Sequence, residues 1–450
     1  MKSQVVDVVG DLARARVAVV GDIMLDRFIY GDVERISPEA PIPVLRVNHT
    51  RAMLGGAGNV AANVTSLGAR VVLIGLVGED EAGGIVRQLV TELPDAKATL
   101  VPRRNYPTVV ETRVVARNQQ VIRLDNELIG PPSLEEARAI LSALEDALNE
   151  TDVVLLSDYG KGVMMGETAE TAISLVRNAG KLAIVDPKGR DYSRYRGANL
   201  ITPNLRELQD ATGLPLDTDD DVVLASRALI RDHAISAVIA TRGEHGMSLV
   251  TDTSAIHVPT VARAVFDVSG AGDTVAATVA CGLAVGMLPE QAAHLANAAA
   301  GIVVGKPGTS QVMPSELAAA PRHQELGPSN AKIVLAEEAV AYTRLWQSQN
   351  RIVGLTNGCF DLLHPGHLSL LRQARGACDR LVVAINSDNS ARRLKGQTRP
   401  IQTELARAAV LACLDLVDLV VIFSEVTPIA LIPHSPDEGT NLSALTTLLG

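Results

Sequence analysis

The 450-residue chain is 47% hydrophobic and 20% charged, with only 2% aromatics and a formal charge of -10. That length points to two domains, and the negative charge with few aromatics excludes a protein that lives by neutralising nucleic-acid phosphates or stacking single-stranded bases. Cys281, Cys359, Cys378 and Cys413 are scattered, so no zinc motif, redox pair or disulfide framework is expected, in keeping with a reducing cytoplasm.

The opening segment MKSQVVDVVGDLARARVAVVGD lacks the apolar core and cleavage site of a signal peptide. No later apolar run reaches the about 20 residues that cross a bilayer. Instead, short apolar runs alternate with helix-like segments: RVAVVGD, RVVLIGLVG, VVLLSDYG, LAIVDPK, ANLITPN and AVIATRG. Runs of this kind are buried on both faces, which predicts a mostly parallel sheet covered by helices on both sides. Ligands gather at the carboxyl ends of such strands. Asp22 and Asp26 in GDIMLDRF, Lys188 in VDPKG, Asn204 in ITPN and Thr241 in ATRG therefore become candidates. Each also has a plainer reading as a strand-ending or capping residue.

Thr108 to Leu124 alternates β-branched and polar residues, with Arg117-Asn118 at a turn, and reads as a hairpin with one wet face. Such a lid exposes an edge that invites a second subunit, so a homodimer is expected. Farther on, FDVSGAGDT places Asp267 and Asp273 around Gly270-Ala271-Gly272. If Ser269 caps a helix there, the amides of Gly270, Ala271 and Gly272 face an anion and Asp273 can take a proton from an attacking hydroxyl. The same residues also suit a tightly packed helix start.

Ser315 to Asn330 loses all period and gains Pro and Gly, giving domains at 1–320 and 333–450 joined by a linker at 321–332. A helix is expected from roughly Ile333 to Gln349, then strands RIVGLTN, RLVVAIN and LVDLVVIF in a smaller Rossmann-like unit. NGCFDLLHPGH puts His364 and His367 about Pro365-Gly366 where a strand turns into a helix, a place suited to one phosphate. A polar turn or a metal pair would use the same spacing.

DVSGAGDT together with GGAGNVAANVTSLG, Gly55 to Gly68, resembles the two diagnostic motifs of the ribokinase family of sugar kinases. The resemblance implies ATP and Mg²⁺, Asp273 as base, and Gly270, Ala271 and Gly272 as anion hole. Asn204, Leu205, Arg206 and Glu207 resemble its Asn-x-x-Glu element, with Glu207 toward the metal; Thr241, Gly243 and Gly246 fit the nucleotide loop. Asp22, Asp26, Gly55, Gly56 and Asn59 fall where the sugar would lie. GDVERISPEAPIPVLRV, Gly31 to Val47, resembles the corresponding segment of bacterial heptose 7-phosphate kinases, and Arg113, Arg117 and Arg123 are candidates for a second substrate phosphate.

The G-x-F-D-x-x-H-x-G-H pattern resembles nucleotidyltransferases that join a nucleoside monophosphate to a phosphorylated small molecule. It implies phosphate roles for His364 and His367 and nucleotide contacts at Asn357, Gly358, Phe360 and Lys395, with Arg399 a further phosphate partner. In that order, the two domains resemble the bifunctional enzymes of ADP-heptose synthesis, which serve the lipopolysaccharide inner core. After LVVIFSEVTPIALI that family continues with a strand, a Lys-Gly-Gly-Asp-Tyr element and a Ser/Thr-rich phosphate motif, none visible in PHSPDEGTNLSALTTLLG. The expectation is a second domain short of part of its ATP site, and the alternative is a kinase whose C-terminal domain only binds or dimerises.

Overall fold

The structure, a computed structural model, describes residues 9–116, 119–260, 268–306, 308–318, 332–334, 339–340, 342–343, 346–347, 351–396 and 399–424. Asp267, the Arg117-Asn118 turn, most of the expected linker and the tail beyond Ser424 lie outside these residues. The chain forms two compact units, Met1–Ala318 and Ala319–Gly450.

In the first unit the chain runs β1 (Arg16–Gly21), β2 (Ile23–Ile36), β3 (Pro43–Gly56), α1 (Ala57–Ser66), β4 (Arg70–Gly78), α2 (Glu81–Thr91), β5 (Ala96–Arg103), β6 (Val109–Ala116) and β7 (Gln119–Asn126). It continues with α3 (Leu134–Ala147), β8 (Val153–Ser157), α4 (Thr168–Asn178), β9 (Leu182–Asp186), β10 (Leu200–Ile201), α5 (Leu205–Thr212) and α6 (Asp219–His233). Then come β11 (Ala237–Thr241), β12 (Met247–Thr251), β13 (Ala255–Val258), α7 (Ala271–Ala284) and α8 (Pro289–Val303).

The main sheet has the order β13-β12-β11-β10-β9-β8-β1-β4-β5 and is parallel except at β12 and β13. Every run singled out for a buried strand is one. Val20 pairs with Ile74 on one side and Leu156 on the other, and all three are fully buried between helices. Strand order reverses at β1, so the crevice above β1 and β8 is where a ligand belongs. Helix α7, apolar nearly all round, is buried from Asp273 to Gly282, as a helix without a polar face must be.

A second sheet, β3-β2-β6-β7, forms the lid. The expected hairpin is β6–β7, antiparallel with Arg113 opposite Arg123. The long antiparallel pair β2–β3 on its other side was not legible, because Gly31 and Pro38 to Pro43 interrupt the two-residue alternation.

The second unit holds β14 (Ile333–Val334), β15 (Val353–Gly358), α9 (Pro365–Gly376), β16 (Arg380–Asn386), α10 (Asp388–Lys395), α11 (Glu404–Ala412) and β17 (Leu419–Phe423). Its parallel sheet has the order β14-β17-β16-β15. Ile333 thus opens a strand beside Val420 and not a helix. Its short, partly β-branched apolar run supplies the fourth buried strand that the small sheet needs.

Candidate active sites

Asp273 stands in the first turn of α7, almost wholly buried. Asn59 in α1 donates Nδ2–H to one carboxylate oxygen at 2.5 Å, and the Tyr159 hydroxyl donates to the other. Burial pushes the Asp273 pKa up to about 6; the two hydrogen bonds oppose that shift and the charge of Asp26 adds to it. The helix begins at Gly270, whose φ of +77° a side chain would strain, and not at a Ser269 cap as expected. The Ala271 amide turns back to the Val268 carbonyl at 3.3 Å. The other first-turn amides have no partner within the helix, and its dipole favours an anion before them. A base beside an anion site is what phosphoryl transfer to a hydroxyl requires.

Three further carboxylates lie on or next to the strands nearby. Asp22, just past β1, accepts the backbone N–H groups of Tyr159, Lys161 and Val163, each at 2.9 Å, and so ties the loop after β8 to β1. Burial, with Asp158 nearby, raises its pKa against those three bonds. Asp26 is buried on the lid strand β2 and receives Arg113 at 2.7 Å. Arg113 also reaches Glu111 at 2.8 Å, and Arg123 pairs with Asp125 at 2.8 Å. Asp186, closing β9, accepts from Thr202 at 2.8 Å. Burial, then the charges of Asp273 and Glu207, push its pKa up to about 8.

Past β10, Asn204 and Glu207 form a capping box at the start of α5, with bonds of 2.9 and 3.0 Å. Lys188 donates to Glu207 at 2.8 Å. Thr241 bridges to Asn204, and Gly243 and Gly246 bracket the tight turn after it. Leu205 packs on the core and Arg206 is exposed beside Asp210, while Asn204 and Glu207 pair at the helix start.

In the second unit, His364 caps α9: the Gly366 amide donates to its Nδ1 at 3.1 Å, which leaves Nε2 as the proton-bearing nitrogen. A side chain at Gly366 would lie 2.9 Å from the ring, so glycine is required for this cap. His364 and His367 stack at 3.9 Å, and burial, then His364 and Lys395, hold the His367 pKa below its ordinary value. Asn357 and Gly358 end β15, and Lys395 ends α10. Phe360 is buried in the core, 5.1 Å from the His367 ring, and supports that ring. Two imidazoles at a helix N-terminus can bind phosphate through N–H groups without a covalent bond.

Residues 14–316 match the pfkB family of carbohydrate kinases. The chain belongs to that family. Residues 355–440 of this pfkB kinase match a cytidylyltransferase-like family, so a carbohydrate kinase is joined to a nucleotidyltransferase in one chain. It is 51% identical to the bifunctional protein HldE of Rhodospirillum rubrum over 95% of this chain and 86% of that one. It is 50% identical to HldE of Paramagnetospirillum magneticum, over 96% and 88%. The structure is similar to phosphofructokinase-2 from Escherichia coli in complex with potassium (TM-score 0.59, 21% identity, 69% of this chain and 99% of that one). It is likewise similar to Arabidopsis thaliana ribokinase complexed with ribose and ATP (TM-score 0.54, 20% identity, 68% and 98%), which extends the likeness of fold. Relatives called bifunctional that align through both domains do not favour the reading of the C-terminal domain as a mere binding module.

The pfkB kinase brings together Asp22, Asp26, Gly55, Gly56, Asn59, Gly270 and Asp273, as their shared crevice requires. Gly55 lies directly against the Asp26 carboxylate and Gly56 begins α1. Sequence reasoning missed Tyr159 and Asp186, although both follow apolar runs in the polar endings DYG and DPK. It also missed Arg407, a fully buried guanidinium that donates to the carbonyls of Cys359 at 2.5 Å, Asn386 at 2.9 Å and Gln402 at 3.1 Å, and to Asp388 at 2.8 Å. An isolated Arg in a helical run carries no mark of that role.

Among the described residues no group of three or more His, Cys, Asp or Glu forms a metal cage. Mg²⁺ at phosphoryl-transfer sites takes one or two carboxylates with phosphate and water oxygens, so a full cage is not required. Burial first, and then the charges of Asp273 and Glu207, raise the Asp186 pKa, so carboxylates gather where a divalent cation bound with phosphate would meet negative charge. The residues fit the ion.

Proposed function

We propose that the first domain transfers the γ-phosphoryl group of ATP to the C1 hydroxyl of D-glycero-D-manno-heptose 7-phosphate, and that the second joins AMP from ATP to heptose 1-phosphate. The products are heptose 1,7-bisphosphate with ADP, and ADP-heptose with pyrophosphate; a separate phosphatase removes the 7-phosphate in between. The pathway is that of lipopolysaccharide core precursors, in the cytoplasm. The observation that carries the reading is Asp273, a buried carboxylate held from two sides at the start of α7.

Asp273 takes the proton of the acceptor hydroxyl as the new O–P bond forms and the bond to the ADP oxygen breaks. The amides of Gly270 and Gly272 receive the travelling group, beside that of Ala271, which turns back to Val268. Asn204, Thr241, Gly243 and Gly246 line the nucleotide, and Glu207 with Asn204 would hold Mg²⁺, which neutralises phosphate charge when bound. Asp26, Gly55, Gly56, Asn59 and Arg113 meet the sugar; Arg123, paired with Asp125 and 3.6 Å from Glu111 but half exposed, turns to the second phosphate, whereas Arg113 is buried between Asp26 and Glu111. In the second domain His364, His367 and Lys395 address the phosphates of ATP. Val121, Ile122 and Leu124, exposed on the edge strand β7, favour a homodimer joined through the lids.

The test incubates purified protein with Mg-ATP and either heptose 7-phosphate or heptose 1-phosphate, following ADP and pyrophosphate. ADP from the first mixture and pyrophosphate from the second are expected. Faster ADP release with unphosphorylated heptose or with fructose 6-phosphate would overturn the substrate assignment.

A further inference from the structure

Tyr159 is a residue for which the phosphoryl-transfer scheme above has no role, yet its hydroxyl is bonded to the carboxylate on which that scheme turns. It sits in the loop after β8, at the point where strand order reverses, and Asp22 secures it: the Tyr159 amide donates to Asp22 at 2.9 Å, as do Lys161 and Val163 beyond it. The path therefore runs from β1 through Asp22 and the Tyr159 backbone to the Tyr159 ring and on to Asp273. Asn59 completes the grip from α1.

We propose that Tyr159 is a positioning residue for the kinase reaction, holding one oxygen of Asp273 so that the carboxylate faces the acceptor hydroxyl in its proton-accepting state; this rests on Asp273 being the base. Each carboxylate oxygen carries two acceptor sites, so one donor on each leaves one open toward the acceptor. Burial first, and then the charge of Asp26 on the lid strand, work against ionisation of Asp273; Asp186 at the end of β9 is the other carboxylate nearby, with Glu207 and the cation Lys188 beyond it. Donors to the ionised form oppose that pressure, and among the described residues Tyr159 and Asn59 are the two that donate to it. Because the Tyr159 hydroxyl is itself held far from ionising by burial and by Asp273, it stays a donor throughout the working range.

The test is Tyr159→Phe in the full chain, with kcat/KM for ADP formation measured from pH 5 to 9. The ring and its packing remain and only the donor is lost, so the acid limb is expected to move up by about one pH unit from its position near 6. A shift of that size produces a roughly fivefold loss at pH 6 that closes by about pH 8.5, with KM for ATP unchanged. A wild-type profile, or a loss of equal size at every pH, would overturn the assignment. Asp273→Asn, run in parallel, separates the two readings. If that variant retains turnover, the base assignment itself falls; if it is inactive while Tyr159→Phe behaves as wild type, Tyr159 alone is wrongly placed.

Discussion

Asn59 Nδ2 and Asp273 Oδ2 lie 2.5 Å apart, joining the first turn of α1 to the first turn of α7 across 214 residues of sequence. Thr274 adds a second link between the same helices, its hydroxyl donating to Asn63 at 3.0 Å. The two glycine-rich motifs are thus one device: the first presents an amide donor to the carboxylate of the second. Replacing Asn59 with Asp would set two carboxylates in contact, and such a pair retains one proton between them. We expect Asn59→Asp to lower ADP formation more than tenfold at pH 7, with the loss deepening toward pH 6. An activity that is pH-independent from 6 to 8 in this variant would contradict the view that the amide keeps Asp273 ionised.

Asp186 offers a test on stability. Its folded pKa of about 8 stands above the ordinary 3.8, so between those values the native state binds a proton that the unfolded chain releases. Stability from this group is therefore fully present below pH 4 and is lost as pH rises through 8. Asp186→Asn removes the charge at all pH values. Its thermal midpoint should match wild type below about pH 4 and exceed it by a growing margin from pH 5 to pH 8; a variant less stable than wild type at pH 8.5 would count against the shift.

The main sheet was legible in the sequence because strands buried on both faces must be apolar along most of their length, as VVLLS and LAIVD are up to their polar last residues. The lid pair β2–β3 was not, since its strands are half wet, bulged at Tyr30/Gly31 and Val33/Arg35, and carry Arg, Asp and Asn on open faces. Site legibility divides the same way. Gly270, Asp273, His364 and His367 fall in short motifs whose chemistry is local. Tyr159 and Arg407 act on partners 114 and 48 residues away, and only the assembled crevice reveals them.

Arg407 joins the carboxyl ends of β15 and β16 to α11, satisfying three backbone carbonyls and Asp388 from a position with no exposure. Removing it leaves buried acceptors without donors, at a cost of about 3–5 kcal/mol. The chain's one tryptophan, Trp346, packs beside Val353, Val382 and Val421, so its fluorescence reports the second unit. Arg407→Met should move the fluorescence-detected urea midpoint down sharply and abolish pyrophosphate release, while ADP formation by the kinase persists. An unchanged midpoint would mean that the buried guanidinium is not what holds these strand ends.

The histidine pair separates the two activities most directly. His364 is fixed by the Gly366 amide with Nε2 as its donor, and His367 lies stacked on it with its pKa held low by burial, so the pair presents N–H donors at the start of α9. Donors aimed at developing phosphate charge are worth about 10²–10³ in rate each. His364→Ala and His367→Ala should each lower pyrophosphate release by that factor with ADP formation from the sugar 7-phosphate unaltered. The double variant should lose less than the product of the two factors, because one ring orients the other. A strictly multiplicative loss would show that the imidazoles act independently, and an equal fall in ADP formation would place them outside the second reaction altogether.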